Sequence, residues 1–137
     1  MQDHFSLSDE EFETQFANRT LNPKFFSHEA HLRLAWIHIK KYGLETSITH
    51  LCTQIPAYAE SLGAGDKFNK TVTVAATKAV YHFMQKTNAG NFSDFIVQFP
   101  RLQYNFKELM DAHYGINIFA LEQAKHMFLE PDRLPFD

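Results

Sequence analysis

Apolar side chains recur at helical spacing along most of this chain. The clearest stripe lies in residues 48–62, where such side chains fall within about a third of the circumference of a helix. Its members are Ile48, Leu51, Cys52, Ile55, Tyr58, Ala59 and Leu62. Pro56 stands inside this stripe, and a proline within a helix removes one backbone hydrogen bond and bends the axis. The pattern therefore predicts an amphipathic helix that is kinked at Pro56.

The starts of two earlier helices carry capping signals. Ser8 and Glu11 form the S-x-x-E pattern of a capping box. Ser27 is placed to cap a second helix over residues 28–42, and Gly43 follows in the usual C′ position. Both segments are therefore predicted to be helical from these caps onward.

The segment after the glycines at 63–65 is the one place where the sequence pattern also fits a strand. Residues 71–74 read T-V-T-V, and alternating β-branched residues favour a strand. The alternation ends after these residues, at Ala75 and Ala76. We therefore predict a helix that runs through residues 71–74 to Lys86, with Asp66 as its N-cap.

Shorter helices are expected in the rest of the chain. Ser93 is placed to cap one that ends near Pro100, a second covers about residues 105–113, and a last one starts at Asn117. No strand pair, repeat or linker separates these segments. The sequence therefore predicts an all-α protein, in which residues 1–137 form a single domain as one compact bundle of six or seven helices.

The C-terminal segment P-D-R-L-P-F at 131–136 follows the last predicted helix. Its prolines stiffen the backbone, and Leu134 and Phe136 are apolar groups that can dock on the protein. Two interpretations of Arg133 stay open. Its side chain reaches a carboxylate in a pocket, or it forms a surface ion pair, which is the commoner outcome. We expect this tail to be ordered.

Composition limits the classes of partner and location. The chain has 137 residues, 14 phenylalanines and a formal charge of −3, and its basic residues are scattered. Scattered basic residues argue against a nucleic-acid-binding face, and no apolar stretch reaches the length of a membrane span. A single cysteine, Cys52, fits a reducing compartment. We therefore expect a cytoplasmic protein that binds neither nucleic acid nor a membrane.

The second predicted helix holds the densest group of titratable side chains. His28 and His31 are three residues apart and project from nearly the same side of it, whereas Glu29 and Arg33 face away from its apolar stripe. Three interpretations stay open. The two histidines hydrogen-bond within the protein, or they line a metal-free polar pocket for a small anion or for acid–base chemistry, or they bind a divalent metal. The metal has the least support, because the sequence places no further carboxylate or histidine to complete the ligand set.

A second candidate group follows the glycines at 63–65. The run G-A-G-D-K-F-N-K-T leads into a predicted helix, and glycines before a helix start can expose backbone N–H groups to an anion. The spacing is not that of a P-loop, and Asp66 would compete with a bound anion. A plain turn between two helices therefore has more support. Lys67 and Asn69 remain candidate pocket residues.

Three segments together resemble a family of small uncharacterised, all-helical bacterial proteins. They are F-S-H-E-A-H-L-R-L-A-W at 26–36, K-F-N-K-T-V-T at 67–73 and E-P-D-R at 130–133. The family combines an H-x-x-H-x-R-[LV]-A-W motif with K-[YF]-H-x-T-[LIV]-T and P-D-R. The resemblance implies a shared fold and no established activity. It also implies that six side chains converge in space, namely His28, His31, Lys67, Asn69, Thr71 and Arg133. Asn69 departs from the family pattern, which has a histidine there, and an amide is a poor ligand for the softer transition metals.

These observations favour a small soluble protein with a small-ligand or anion-binding polar pocket. The pocket is expected around His28, His31 and the helix start at residues 66–73. Two alternatives stay open. One is a non-catalytic module that forms a homodimer or binds a partner through a Phe-rich surface. The other is a metal-dependent enzyme that uses His28 and His31.

Overall fold

A computed structural model of the chain describes residues 3–136, and every regular element in that range is helical. The α-helices are α1 (Asp9–Ala17), α2 (His28–Tyr42), α3 (Leu44–Ser61), α4 (Lys70–Met84), α5 (Phe92–Gln98), α6 (Pro100–Tyr104), α7 (Phe106–Asp111) and α8 (Glu122–His126). Short 3-10 helices cover His4–Ser6, Pro23–Phe25 and Gly65–Lys67. The predicted all-α class is confirmed. Within the same range, no helix has both the length and the apolar character needed to cross a bilayer.

The chain divides into two compact units. The first ends at Phe68 and contains α1, α2 and α3, and the second begins at Asn69 and contains α4 to α8. In the first unit α2 packs against α3, and α1 contacts both of them. In the second unit α4 contacts α8, and α6 contacts α5 and α7. The single domain over residues 1–137 stays a prediction, as does the arrangement of the helices as one bundle.

The helix starts in the first unit follow the local capping signals. The Ser8 hydroxyl accepts a hydrogen bond from the Glu11 backbone N–H, and the Glu11 carboxylate accepts one from the Ser8 N–H, so the predicted capping box is confirmed. The Ser27 hydroxyl accepts from the Ala30 N–H at the start of α2. Gly43 ends α2 at a φ of +84°, a conformation that L side chains rarely adopt.

The α3 helix continues through Pro56, as the stripe predicts, with Leu51 and Ile55 buried. The kink at Pro56 stays a prediction. The expected burial of Leu62 is wrong, because the helix ends at Ser61 and the Leu62 side chain, at the C-cap, is 47% exposed. Burial therefore differs along the stripe, and the half-buried members are Ile48, Cys52 and Ala59.

The α4 helix contains residues 71–74, so the helical prediction for the T-V-T-V run is confirmed. Its predicted N-cap at Asp66 is wrong. Asp66 lies in the 3-10 helix Gly65–Lys67, and Phe68 then adopts an extended conformation that interrupts the helical backbone. The cap is Asn69, whose side-chain oxygen accepts a hydrogen bond from the Val72 N–H at 3.0 Å.

The remaining helices of the second unit are shorter and more numerous than predicted. Pro100 is the first residue of α6, where its fixed φ suits a helix start, so a new helix forms where only a helix end was expected. The described residues therefore contain eight α-helices instead of six or seven. The cap of α5 is Asn91 rather than Ser93, since the Asn91 side chain accepts from the Asp94 N–H. Asn117 caps a turn before α8 and not the helix itself.

The predicted docking of the C-terminal tail is confirmed for Phe136, which is buried and stacks on the His113 ring at 4.2 Å. The backbone carbonyl of His113 accepts hydrogen bonds from the N–H groups of Arg133 and Leu134. The Leu134 side chain, by contrast, is exposed. The tail therefore attaches to the second unit through His113 and one aromatic ring.

Candidate functional site

Arg33, on α2, binds the N-terminal segment, residues 3–8, to this helix within the first unit. Its guanidinium donates to the backbone carbonyls of His4 and Leu7 and to the Asp9 carboxylate, at 2.8 Å for the closest contact with Asp9. It also lies over the ring of Phe12, at 5.1 Å from the centroid. Arg33 was expected to face away from the core, yet it is only 5% exposed because the N-terminal segment covers it.

His4 and Glu29 extend this network. The Nε2 atom of His4 lies 2.7 Å from Glu29 Oε1, and its Nδ1 atom lies 3.2 Å from Nη1 of Arg33. Because a guanidinium can only donate, His4 Nδ1 must accept, and the ring proton is therefore on Nε2, where Glu29 accepts it. Glu29 and Arg33, which lie beside the two motif histidines in sequence, hold the N-terminal segment in place.

His31 is the most unusual of the predicted pocket residues. The residue is half-buried, but its Nε2 atom is inaccessible to solvent and has no hydrogen-bond partner among the described residues. Its ring stacks on Phe26, with centroids 5.6 Å apart. Burial, helped by the nearby charge of His28, lowers the pKa of the His31 imidazole from 6.5 to about 4. His31 is therefore a neutral imidazole at neutral pH, with one ring nitrogen left for another group.

His28 is the first residue of α2, and its side chain is exposed. Within residues 3–136, no three histidine, cysteine, aspartate or glutamate side chains are grouped closely enough to hold a metal ion. The described residues thus supply at most the two histidines to a metal at this place, two ligands short of a tetrahedral structural site.

Asn69 and Thr71 make hydrogen bonds within the second unit. The Asn69 amide donates to the Ile118 carbonyl at 2.8 Å while it caps α4. The fully buried Thr71 hydroxyl donates to the Met127 carbonyl at 2.8 Å and accepts from the Leu129 N–H at 3.1 Å. These contacts tie the start of α4 to the segments on either side of α8. A ligand-binding role for the two side chains stays a prediction.

Lys67 and Arg133 have exposed side chains. Lys67 ends the 3-10 helix Gly65–Lys67 of the first unit. Arg133, in the tail of the second unit, donates to the Asp111 carbonyl at 3.2 Å. Asn69, Thr71 and Arg133 thus make hydrogen bonds within their own unit, and the convergence of all six residues of the resemblance stays a prediction.

A pair of histidines between α2 and α3 was not anticipated. The Nδ1 atoms of His38 and His50 are 3.3 Å apart, so one of them carries the proton and donates to the other. His38 is 1% exposed, and its Nε2 atom has no partner among the described residues. The Tyr42 ring contacts both imidazoles, and its hydroxyl donates to Glu13 at 2.6 Å. The i, i+12 spacing joins two helices across the turn at Gly43, which no local motif indicates.

Burial and the neighbouring charges together determine the pKa of His38. Burial lowers the pKa of His38 from 6.5 to about 4, the Glu13 carboxylate opposes that effect, and His50 and Lys41 add to it. For Glu13, burial raises the pKa, but hydrogen bonds from Tyr42 and Lys41 outweigh burial and lower it. His38 is therefore neutral in the folded protein throughout the physiological range.

Acid is expected to destabilise the first unit through His38. The unfolded chain takes up a proton at His38 near pH 6.5, whereas the folded chain does so only near pH 4, so stability falls across this window and His38 adds nothing further below it. We expect a loss of roughly 2–3 kcal/mol between pH 7 and pH 4.5 from this group. Urea unfolding followed by the fluorescence of Trp36 measures the loss at each pH.

The control for the acid effect is a comparison of two variants. His38→Phe should remove the part of the pH dependence that comes from His38 and leave the part from His31, whose pKa is also lowered to about 4, whereas His126→Phe, at an exposed position on α8, should leave both parts unchanged. Direct titration of the His38 ring by NMR checks the same point in the unmodified protein. A His38 pKa near 6.5 in the folded state would contradict the account.

Comparison of the chain with protein-family models, curated proteins and solved structures finds no match. The resemblance carried by the three sequence segments therefore remains a prediction.

Proposed function

We propose that the protein binds a small anion at the start of α2, where His31 and His28 meet the ligand. The observation that carries the proposal is the Nε2 atom of His31, which is buried and without a hydrogen-bond partner among the described residues. Buried polar atoms in folded proteins almost always have a partner. A ligand that displaces the atoms covering His31 Nε2 would satisfy this nitrogen with one of its oxygens.

The electrostatics of the helix start support an anion. The first turn of an α-helix has unsatisfied N–H groups and a partial positive charge. One of these N–H groups, that of Ala30, already donates a hydrogen bond to the Ser27 hydroxyl. Glu29, the acidic residue of the first turn, is hydrogen-bonded to His4 at 2.7 Å and so has a partner elsewhere. A neutral His31 donates from Nε2–H to an oxyanion without itself carrying a charge.

Charge for a larger anion would come from the same unit. Lys67 is an exposed cation of the first unit, and in this proposal its side chain approaches the ligand when it is bound. We place the protein in the cytoplasm, because its one cysteine has no other cysteine in the chain with which to form a disulfide.

Sulfate is a suitable probe, because it stays a dianion over the whole pH range of interest. We expect saturable binding of sulfate to the unmodified protein, measured by calorimetry and by shifts of the His31 ring resonances in NMR spectra. His31→Phe keeps an aromatic ring beside Phe26 but has no nitrogen, and it should weaken sulfate binding by about tenfold or more. The matched control His126→Phe, at an exposed histidine, should bind sulfate like the unmodified protein.

The alternative functions give different outcomes in the same experiment. A metal-dependent enzyme would bind Zn²⁺ stoichiometrically and lose it in His31→Phe, and sulfate would not shift the His31 ring. An interaction module would bind neither probe at this place and would sediment as a dimer or larger species. Either result contradicts the anion proposal.

A further inference from the structure

We propose that a cavity in the second unit is a separate binding site for a small carboxylate with an apolar body. The cavity has a volume of about 320 Å³ and is enclosed by α4, α6, the end of α7 and the C-terminal tail. This volume is at the lower end of the range of small-molecule sites, so its occupant is correspondingly small. The site shares no residue with the proposed anion site at α2, and each can fail without the other.

The walls of the cavity select for an apolar body. Ala79 and Phe83 from α4, Leu109 from α7 and Phe136 from the tail contribute aliphatic and aromatic surface. Ala79, Leu109 and Phe136 are buried, and Phe83 is half-buried. Transfer of an aromatic ring or a short alkyl chain from water to such a surface is favourable in proportion to its apolar area.

One polar side chain of the cavity, Arg101, selects for a negative charge. The other two are His82 and His113, and none of the described residues that line the cavity is acidic. Arg101 is an exposed residue of the cavity lining, and a guanidinium keeps its positive charge in proteins. A guanidinium can bind a carboxylate through two parallel hydrogen bonds. A cavity with apolar walls and one cationic group in its described lining therefore fits an amphiphilic monoanion.

His113 gives the site its most constrained polar group. The residue is 9% exposed, and its Nδ1 atom lies 2.7 Å from the Leu134 carbonyl. Because a carbonyl only accepts, Nδ1 carries a proton, so Nε2 of the neutral ring is an acceptor and the carboxylate is left to Arg101. The stacked Phe136 ring fixes the plane of the imidazole. A ligand in the cavity thus lies beside the same imidazole that holds the tail.

These features favour a carboxylate over a dianion such as sulfate or a phosphate ester. The cavity offers one permanent cation and a largely apolar lining, and an inorganic dianion would lose its hydration without enough charged partners to replace it. A monoanion with a hydrophobic part places its charge at Arg101 and its apolar part against Leu109 and Phe136.

Phenylpropionate and its neutral analogue phenylpropionamide test the proposal directly. We expect the unmodified protein to bind phenylpropionate with saturation and to shift the ring resonances of His113 in NMR spectra. The amide should bind at least tenfold more weakly, because it lacks the charge that Arg101 recognises.

Arg101→Gln should weaken phenylpropionate binding about tenfold and leave amide binding unchanged. Arg101 is exposed, so this variant is expected to fold normally. Lys107→Gln is the matched control, since it removes the same charge from an exposed position on α7 outside the cavity, and it should bind both compounds like the unmodified protein.

Three results would overturn the proposal. Equal affinity for the acid and the amide would show that no charge is recognised. Unchanged phenylpropionate affinity in Arg101→Gln would remove Arg101 from the site. Absence of binding, or binding that leaves the His113 resonances in place, would show that the cavity does not take up the compound.

Discussion

Replacing Arg33 by methionine is expected to lower the free energy of unfolding of the first unit by about 3–5 kcal/mol. Methionine keeps an unbranched apolar stem but removes every donor. The carbonyls of His4 and Leu7 then lose their guanidinium partner, and His4 Nδ1 loses its donor. Asp9 is half exposed and can be hydrated, so most of the loss comes from the more buried groups. Urea unfolding followed by the fluorescence of Trp36, which is buried on the same helix, measures the effect.

The control for this prediction is Lys24→Met, which removes an exposed cation from the 3-10 helix Pro23–Phe25. A change within about 0.5 kcal/mol is expected for this surface position. Arg33→Lys restores the charge but cannot donate to three acceptors in a plane, so it should recover only part of the loss. If Arg33→Met were as stable as the unmodified protein, the N-terminal segment would not be fastened through this residue.

Replacing Leu51 by alanine is expected to destabilise the first unit by about 2–5 kcal/mol. Leu51 is fully buried, and removal of its branched end leaves a cavity in a packed interior that relaxes only in part. The same Trp36 fluorescence assay measures the loss. Thr53→Ala, at an exposed position of α3, should change stability by no more than about 0.5 kcal/mol. A loss below about 1 kcal/mol for Leu51→Ala would show that the stripe on α3 is loosely packed.

The helices and their caps could be predicted where the signals are local. Ser8 and Ser27 cap α1 and α2 through atoms within three residues, and the stripe of α3 identifies Leu51 and Ile55 as buried. The start of α4 was missed because Asp66 and Asn69 are both good caps. The choice between them depends on Phe68, whose extended backbone ends the 3-10 helix, and no local rule fixes that conformation.

The side-chain networks could not be predicted, because each joins residues far apart in the chain. A helical projection places Arg33 away from the apolar stripe of α2, but it cannot show that the N-terminal segment covers this side chain. No local pattern shows the role of His113, because the tail residue that stacks on its ring lies more than twenty residues later in the chain. The i, i+3 spacing did identify His31 as a candidate, and the structure adds that its Nε2 atom has no hydrogen-bond partner within residues 3–136.

The pKa of the His31 imidazole with and without sulfate, measured by NMR titration of its ring, tests the proposed anion site most directly. Burial and the charge of His28 hold this pKa at about 4 in the unliganded protein. An anion bound at Nε2 stabilises the protonated ring, so saturating sulfate should raise the pKa, and by linkage sulfate should bind more tightly as the pH falls towards 4. A His31 pKa that stays the same at saturating sulfate would contradict an anion at this nitrogen.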